Sequence, residues 1–282
     1  MQVTSTQPNR RQSVADNLRL ATRRMIVMGP PGSGKSTFSA SASKFAGDTL
    51  PVNPPCVAED VVVIQGDTEG MLGPLSCGIS VPHIFDMTDC PDWDTYMRTI
   101  RTDLRKEILP MVQDGQVRII IVDMSLVNTL INAKIMPDNQ KAWGAVKYEG
   151  MMFYKLFSSL RGCTVIANAQ IKTTESPGET IQAAAAATAR AVGGERSLYT
   201  ADVYKGVGGM WADNSSLTVS IERKQVKDPA NPAAKKVLKS TIYTQTNARF
   251  EGKSRFGSAL LPEEPGSRTL YSIMKQVYGE SL

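Results

Sequence analysis

The sequence predicts an α/β fold, with a mainly parallel central sheet flanked by helices and a β-hairpin near the end of the chain. Two observations support this prediction. Short apolar runs typical of buried strands alternate with segments whose apolar residues recur at helical spacing, which is the pattern of strand–helix–strand units. The hydrophobic fraction of 41% in 282 residues is also enough for one large packed domain.

Four apolar runs predict strands that are buried on both faces. They lie at 23–29 (RRMIVMG), 60–66 (DVVVIQG), 117–123 (VRIIIVD) and 164–171 (TVIANAQI). Helical spacing and helix-end signals predict helices at 34–47, 92–112, 148–161 and 267–278. Two further strands, at 216–226 and 235–247, flank a proline-containing loop and predict the hairpin.

Two segments lack core character. Residues 1–22 predict a polar arm with one short helix at 13–22, so the packed domain is expected to span 23–282. The stretch 172–192 is polar and then alanine-rich, which predicts a functional loop. A surface helix made by the alanines is the alternative for this stretch.

The formal charge of +5 and the pI of about 9.0 favour anionic partners such as nucleic acid, although an ordinary basic protein would show the same balance. No run of eighteen apolar residues predicts a membrane helix, and the N-terminal segment lacks the apolar centre of a signal peptide. The sequence therefore predicts a cytoplasmic protein without a membrane partner. The four cysteines form no CxxC pair and are expected to be reduced.

The strongest chemical signal is GPPGSGKST at 29–37, between a predicted strand and a predicted helix. It fits the phosphate-loop pattern G-x-x-x-x-G-K-[ST], in which glycines let backbone N–H groups wrap phosphates. Lys35 is expected to reach the β- and γ-phosphates of a nucleotide, and the Ser36 hydroxyl is expected to bind Mg²⁺. The predicted nucleotide-binding residues are Gly29, Pro30, Pro31, Gly32, Ser33, Gly34, Lys35, Ser36 and Thr37.

Acidic residues that follow two predicted strands are candidates for the hydrolysis chemistry. Asp123 ends the run RIIIVD, where a carboxylate beside the phosphate loop would join the Mg²⁺ shell. Capping of the strand end is the alternative for Asp123. Glu69 follows a strand expected to lie next to the phosphate-loop strand, where its carboxylate could orient the attacking water, with Asp67 as the second candidate. A solvated loop acid is the alternative for Glu69.

Gln170 closes the run TVIANAQ. A polar side chain at the carboxyl end of a strand in an open α/β sheet points into the ligand crevice. Gln170 is therefore a candidate contact to the γ-phosphate, which would transmit its presence to the loop that follows. A strand-end amide without a ligand is the alternative.

Taken together and in this order, these segments resemble the ATPase core of the RecA family over roughly residues 23–260. GPPGSGKST is similar to the phosphate loop of that family, QGDTEG to the segment that holds its catalytic glutamate, and RIIIVD to its metal-binding strand. NAQIK is similar to the strand end that carries the nucleotide-sensing glutamine. KSRFG is similar to a motif of RadA proteins, and the chain length is most like that of short RecA-like ATPases of bacteriophages, found among single-strand annealing systems.

The chain also departs from the RecA pattern. Ala169 separates Asn168 from Gln170, whereas the family has the two amides adjacent. The first DNA-binding loop, expected within 132–146, has no clear match. The Gly193-Gly194 pair does resemble the glycines that close the second DNA-binding loop.

The resemblance implies a P-loop NTPase that hydrolyses ATP with Mg²⁺ and assembles into a homo-oligomeric ring or filament on single-stranded DNA. Its work would be recombination, annealing or replication in a bacterial or phage-infected cell, with a single-strand-binding or annealing protein as a candidate partner. Lys253 and Arg255 would reach the γ-phosphate of the neighbouring subunit from a strand on which both point the same way. Candidate contacts to DNA phosphates are Lys134, Lys141, Lys172, Arg190 and Arg196.

Two other function classes remain open at this point. A P-loop phosphotransferase acting on a small molecule would need a lid with several arginines, and 172–192 is poor in them. A nucleotide-switched scaffold or DNA-packaging motor would use the same core to bind protein instead of single strands.

Overall fold

The computed structural model describes residues 23–66, 68–135, 143–173, 199–201, 211, 214–226, 237–245, 253–255 and 259–279. Within this part of the chain, ten strands form one sheet and two short strands form a separate pair. The short pair is β2 (Cys56–Val57) with β4 (Ile79–Ser80). The strands of the large sheet are β1 (Arg23–Gly29), β3 (Val61–Gln65), β5 (His83–Asp86), β6 (Ile119–Asp123), β7 (Thr164–Thr173), β8 (Tyr199–Ala201), β9 (Leu217–Val226), β10 (Val237–Tyr243), β11 (Lys253–Ser254) and β12 (Glu263–Pro265).

The large sheet is mainly parallel. Its strand order is β12-β10-β9-β1-β7-β6-β3-β5, with β11 beside β9 and β8 beside β7. All neighbouring pairs from β9 to β5 are parallel, whereas β8, β10, β11 and β12 pair antiparallel with their neighbours. The predicted α/β fold with a mainly parallel sheet is confirmed, and β9 and β10 pair as the predicted hairpin strands. The residues between them, 227–236, lie outside the described part of the chain.

Helices cover both faces of the sheet. They are α1 (Lys35–Ala40), α2 (Leu72–Ser76), α3 (Trp93–Asp103), α4 (Leu109–Gln113), α5 (Met124–Ile135), α6 (Trp143–Ser158) and α7 (Leu270–Tyr278). One face packs against α3, α5 and α6, and Trp93 and Phe153 are among the largest side chains there. The other face packs against α1 and α7 through Phe38 and Leu270. Because both faces are covered, the central strands are apolar along their length and carry polar side chains mainly at their ends.

Helix α1 ends at Ala40, so the prediction of a helix as far as residue 47 is wrong. The next residues form turns in which the buried side chains of Ser41 and Ser43 make hydrogen bonds. Ser41 Oγ donates to the carbonyl of Phe38 at 2.6 Å, and Ser43 Oγ donates to the Asp60 carboxylate. Serine side chains that bond nearby groups in this way compete with the continuation of a helix.

The helix predicted at 92–112 is present, but it is built in three pieces. A π-helical segment, Leu104–Ile108, separates α3 from α4. Pro110 lies at the start of α4, and proline both lacks an N–H donor and clashes with the carbonyl four residues before it. The wider π turn ahead of Pro110 accommodates that clash without ending the helix.

Helix α5 begins directly after β6, at Met124, and was not predicted. Met124, Val127 and Ile131 are spaced along one side of this helix and are buried in the core. The structure also starts α6 at residue 143, five residues before the predicted helix. Of the range 132–146, within which a DNA-binding loop was expected, residues 132–135 and 143–146 are helical, and 136–142 lie outside the described residues.

The C-terminal helix is confirmed as α7. Thr269 caps it by accepting a bond from the Ser272 N–H at 3.1 Å, and Leu270, Ile273 and Met274 are buried against the sheet. No helix of the described residues is long and apolar enough to cross a bilayer. The arm at 1–22 and the segment 174–198, which holds most of the predicted functional loop, lie outside the described part of the chain.

Candidate functional site

A cavity of about 980 Å³ opens at the carboxyl ends of the parallel strands. Its walls are residues 31–38, the turn and helix that follow β3, the ends of β3, β6 and β7, and parts of β9 and β10. Ligands of open α/β sheets bind at this edge, and the volume suits a nucleotide-sized molecule.

The glycine-rich stretch 29–37 forms one wall of this cavity between β1 and α1. Gly34, the residue before α1, has φ of +95°, a backbone conformation that strongly favours glycine. Gly29 is required for a different reason, since a Cβ there would lie 2.4 Å from Ser33 Oγ and 2.7 Å from the Ile221 carbonyl oxygen. The loop closes on itself through a bond from the Ser33 N–H to the Pro30 carbonyl at 3.1 Å.

Lys35 lies at the start of α1 with its ammonium group folded onto this loop. Its Nζ donates to the carbonyl oxygens of Gly29 at 3.0 Å and Pro30 at 3.1 Å. Burial lowers the pKa of Lys35, and the nearby Asp123 carboxylate partly offsets that effect. A partly desolvated ammonium beside a glycine-rich loop is well placed to bind an anionic group in the cavity.

Polar side chains from neighbouring strands meet at the same edge. The pairing register places Gln170 of β7 beside Gly29 of β1, and Asn168 of β7 beside Asp123 of β6. Asn168 is buried and its Oδ1 accepts a 2.5 Å bond from Ser39 Oγ on α1. Asp123 Oδ1 accepts a 2.9 Å bond from the Ser125 N–H, and Gln170 is exposed in the cavity wall. The structure thus brings Lys35, Asp123 and Gln170 together, as the sequence predicted.

The donors at this site fit Mg²⁺ bound through a phosphate. Ser36 and Asp123 both line the cavity, so a hydroxyl and a carboxylate oxygen are available there. Mg²⁺ prefers oxygen ligands and usually takes only one or two from protein, filling its other positions with phosphate oxygens and water.

Glu69 lies in a 3₁₀ turn, Thr68–Met71, that follows β3. Its side chain and the whole of Asp67 lie outside the described part of the chain. The expectation that β3 lies next to the phosphate-loop strand is wrong, because β7 and β6 stand between β3 and β1. The turn still reaches the site, since Gly70 and Met71 line the cavity.

Neither Lys253 nor Arg255 lines this cavity. Lys253 pairs with Thr218 on β9, and the Arg255 N–H donates to the Ser216 carbonyl at 3.1 Å. Ser216 lies opposite Arg24, near the amino end of β1, whereas Gly29 ends that strand. At about 3.3 Å per residue, the part of β1 from Arg24 to Gly29 separates Arg255 from Gly29 by about 16 Å along the strand direction.

The shared orientation of Lys253 and Arg255 was predicted from one strand that holds both residues, and only Lys253 lies in a strand of the described residues. Strand β11 ends at Ser254, and Arg255 is in the turn after it. Arg255 lies near Tyr154: burial raises the pKa of that phenol, and Arg24 and Arg255 both offset the effect.

The candidate DNA-contacting lysine that the structure describes, Lys134, joins three helices. It lies in α5 and not in a loop, and its Nζ bonds Asp94 of α3 at 2.8 Å and Glu149 of α6 at 3.2 Å. The hydrogen bond to Asp94 is the main reason that the pKa of Lys134 is raised. Glu149 also accepts a 2.9 Å bond from Trp93 Nε1, so Lys134 belongs to a side-chain network that links α3, α5 and α6. Of the other candidates, Lys141, Arg190 and Arg196 lie outside the described residues, and the side chain of Lys172 is also not described.

Sequence reasoning missed Arg223 and Gln65, which both line the cavity. Arg223 of β9 donates from Nη1 to the Gly32 carbonyl at 3.2 Å, which ties the hairpin to the glycine-rich loop. Finding it required knowing that β9 pairs with β1, for which the sequence carries no signal. Gln65 is buried at the end of β3 and also lines the cavity. The signal that singled out Gln170, a polar residue closing an apolar run, was present at Gln65 as well.

No protein-family model matches the chain, and no curated protein matches its sequence.

Proposed function

We propose that this protein is a Mg²⁺-dependent ATPase with a RecA-like core, which assembles as an oligomer on single-stranded DNA in recombination, annealing or replication. The observation that carries the proposal is the convergence at one cavity of the GPPGSGKST loop, Lys35, Asp123 and Gln170. The convergence supports nucleotide binding and hydrolysis. The DNA and oligomer parts of the proposal rest on the sequence resemblance.

In the proposed reaction, water attacks the γ-phosphate in line with the bond to ADP. Backbone N–H groups of the loop and the Lys35 ammonium stabilise the phosphate charges. Ser36 and Asp123 would hold Mg²⁺, which neutralises charge between the β- and γ-phosphates when bound. Glu69 orients the attacking water and accepts its proton, and Gln170 contacts the γ-phosphate.

The test measures ATP hydrolysis with and without single-stranded DNA over a series of salt concentrations. We expect Mg²⁺-dependent hydrolysis that DNA stimulates and that salt weakens, because phosphate contacts release counterions. Lys35→Ala should lose both nucleotide binding and turnover. Lys106→Ala is a suitable control, since Lys106 is an exposed lysine of the π-helical segment and does not line the cavity.

Each class of function gives a different result in this assay. A hydrolysis rate that single-stranded DNA does not change at any salt concentration would favour the scaffold or packaging motor. Phosphate transfer that requires an added small-molecule acceptor would favour the phosphotransferase. Absence of nucleotide binding by the wild-type protein would contradict the proposal as a whole.

A further inference from the structure

Gln65 ends β3 with a buried side-chain amide that lies close to the site. The residue is only 8% exposed, and no described residue bonds its Oε1. Gln65 nevertheless lines the cavity. A buried acceptor left without a partner costs free energy, and native proteins rarely keep one unless another molecule can satisfy it.

The sheet places this amide beside Asp123. Ile64 pairs with Val122, so Gln65 and Asp123 are the next residues on adjacent parallel strands. Neighbouring strands lie about 4.8 Å apart, and residues at matching positions face the same side. Val63, two residues before Gln65, packs in the core layer that contains Phe38 of α1, so this is the side of the glycine-rich loop.

The amide oxygen also faces the turn that carries Glu69. A Cβ built on Gly70, the residue after Glu69, would lie 3.8 Å from Gln65 Oε1. The acceptor therefore lies in the cavity wall between Asp123 and the turn that holds the candidate base.

We infer that Gln65 Oε1 is the second acceptor that positions the attacking water, an inference that rests on the proposed ATPase function. A water molecule has two O–H groups, and Glu69 can accept only one of them. In the reaction the water oxygen bonds the γ-phosphorus, the bond from phosphorus to the β–γ bridging oxygen breaks, and its electron pair stays on ADP. The proton on the Glu69 side passes to that carboxylate. Gln65 takes no proton; it holds the other O–H so that the water lone pair points at phosphorus.

The decisive variant is Gln65→Met, which keeps the side-chain volume and removes the amide. Without nucleotide, its midpoint of urea unfolding should equal or exceed that of the wild type, because a buried polar group without a partner is replaced by an apolar one. Affinity for MgADP should be unchanged. Turnover and affinity for MgADP–aluminium fluoride, which mimics the in-line transition state, should each fall roughly tenfold to a hundredfold. Gln113→Met, at an exposed position of α4, is the matched control and should change none of these.

Turnover of Gln65→Met within twofold of the wild type would overturn the inference. A lower unfolding midpoint together with a lower affinity for MgADP would also overturn it, because that result indicates a structural role. If Gln65→Met does not fold, Gln65→Asn keeps the amide but withdraws its oxygen by one methylene. Full turnover in Gln65→Asn would then overturn the inference. A wild-type protein that hydrolyses no ATP would refute the proposed function, whereas an active wild type with an equally active Gln65→Met refutes only the role of Gln65.

Discussion

Replacing Arg255 with alanine should leave ATP binding intact and nearly abolish hydrolysis, if Arg255 acts on the neighbouring subunit. Within one subunit Arg255 is about 16 Å from Gly29 along the strand, at about 3.3 Å per residue. An arginine side chain does not cover that span, so any contact with phosphate must be made across an interface. The Arg255 N–H bond to the Ser216 carbonyl is a backbone bond and survives the substitution.

The size of the effect follows from the chemistry of phosphoryl transfer. An arginine supplied across an interface raises the rate by roughly 10³–10⁵, so Arg255→Ala should lose about that factor. Glu69→Gln, which lacks the proposed base, should bind MgATP and lose roughly 10²–10⁴ in rate. In a head-to-tail assembly formed at random from equal amounts of both variants, about one interface in four joins an intact Glu69 to an intact Arg255.

The assay mixes the two inactive variants and measures ATP hydrolysis per subunit. Activity should return to about a quarter of the wild-type rate, at least roughly tenfold above either parent. Arg161→Ala, at an exposed arginine before β7, is the matched control and should behave like the wild type. A mixture that stays at the parental level, with co-assembly proved by cross-linking, would refute action across the interface and leave a structural or DNA-binding role for Arg255.

Three further predictions concern the cavity. Burial lowers the pKa of Lys35 in the free protein, and bound phosphate favours the charged ammonium, so affinity for ATP should fall as pH rises through that pKa. Titration calorimetry between neutral and alkaline pH measures the affinity, and an affinity that does not change over that range would contradict the prediction. MgATP should slow the alkylation of Cys77, which lines the cavity. Cys163, whose pKa burial raises to about 12, is the control and should stay unmodified in the folded protein. Peptide mapping measures the labelling of both cysteines, and equal labelling of Cys77 with and without nucleotide would argue against nucleotide binding in this cavity. Ser39→Ala should lower the free energy of unfolding by about 1–3 kcal/mol because it leaves the buried Asn168 oxygen unbonded, and a urea titration with no shift would show that another group satisfies that oxygen.

The sequence predicted the central strands β1, β3, β6 and β7 well, because strands covered on both faces must be apolar throughout. It also predicted that Lys35, Asp123 and Gln170 lie at one edge of the sheet, since Asp123 and Gln170 close apolar runs and Lys35 follows the glycine-rich loop after another. What it could not supply was the order of the strands. The runs around Val63, Ile121 and Ile166 are equally apolar, so composition does not say which of them lies next to β1.

The other errors come from side-chain partners that lie far away in the sequence. The end of α1 depends on the partners that Ser41 and Ser43 find, one of which is Asp60 in a later segment. Lys134 looked like a loop cation because its two carboxylate partners, Asp94 and Glu149, are 40 and 15 residues away in sequence. Such side-chain partners become visible only when the helices are packed together.

The central position of β1 has a consequence for how the chain folds during synthesis. Its two neighbours in the sheet are β7 and β9, and the hydrogen bond between Ser216 and Arg24 joins residues 192 apart in sequence. Pairings that close such long loops form late and slowly, because chain entropy is lost before the contact is gained. A nascent chain therefore carries the complete glycine-rich loop long before the strands that hold it in place have left the ribosome. The proposed nucleotide binding would become possible only near the end of translation, and added nucleotide should then select the finished domain over its incomplete precursors.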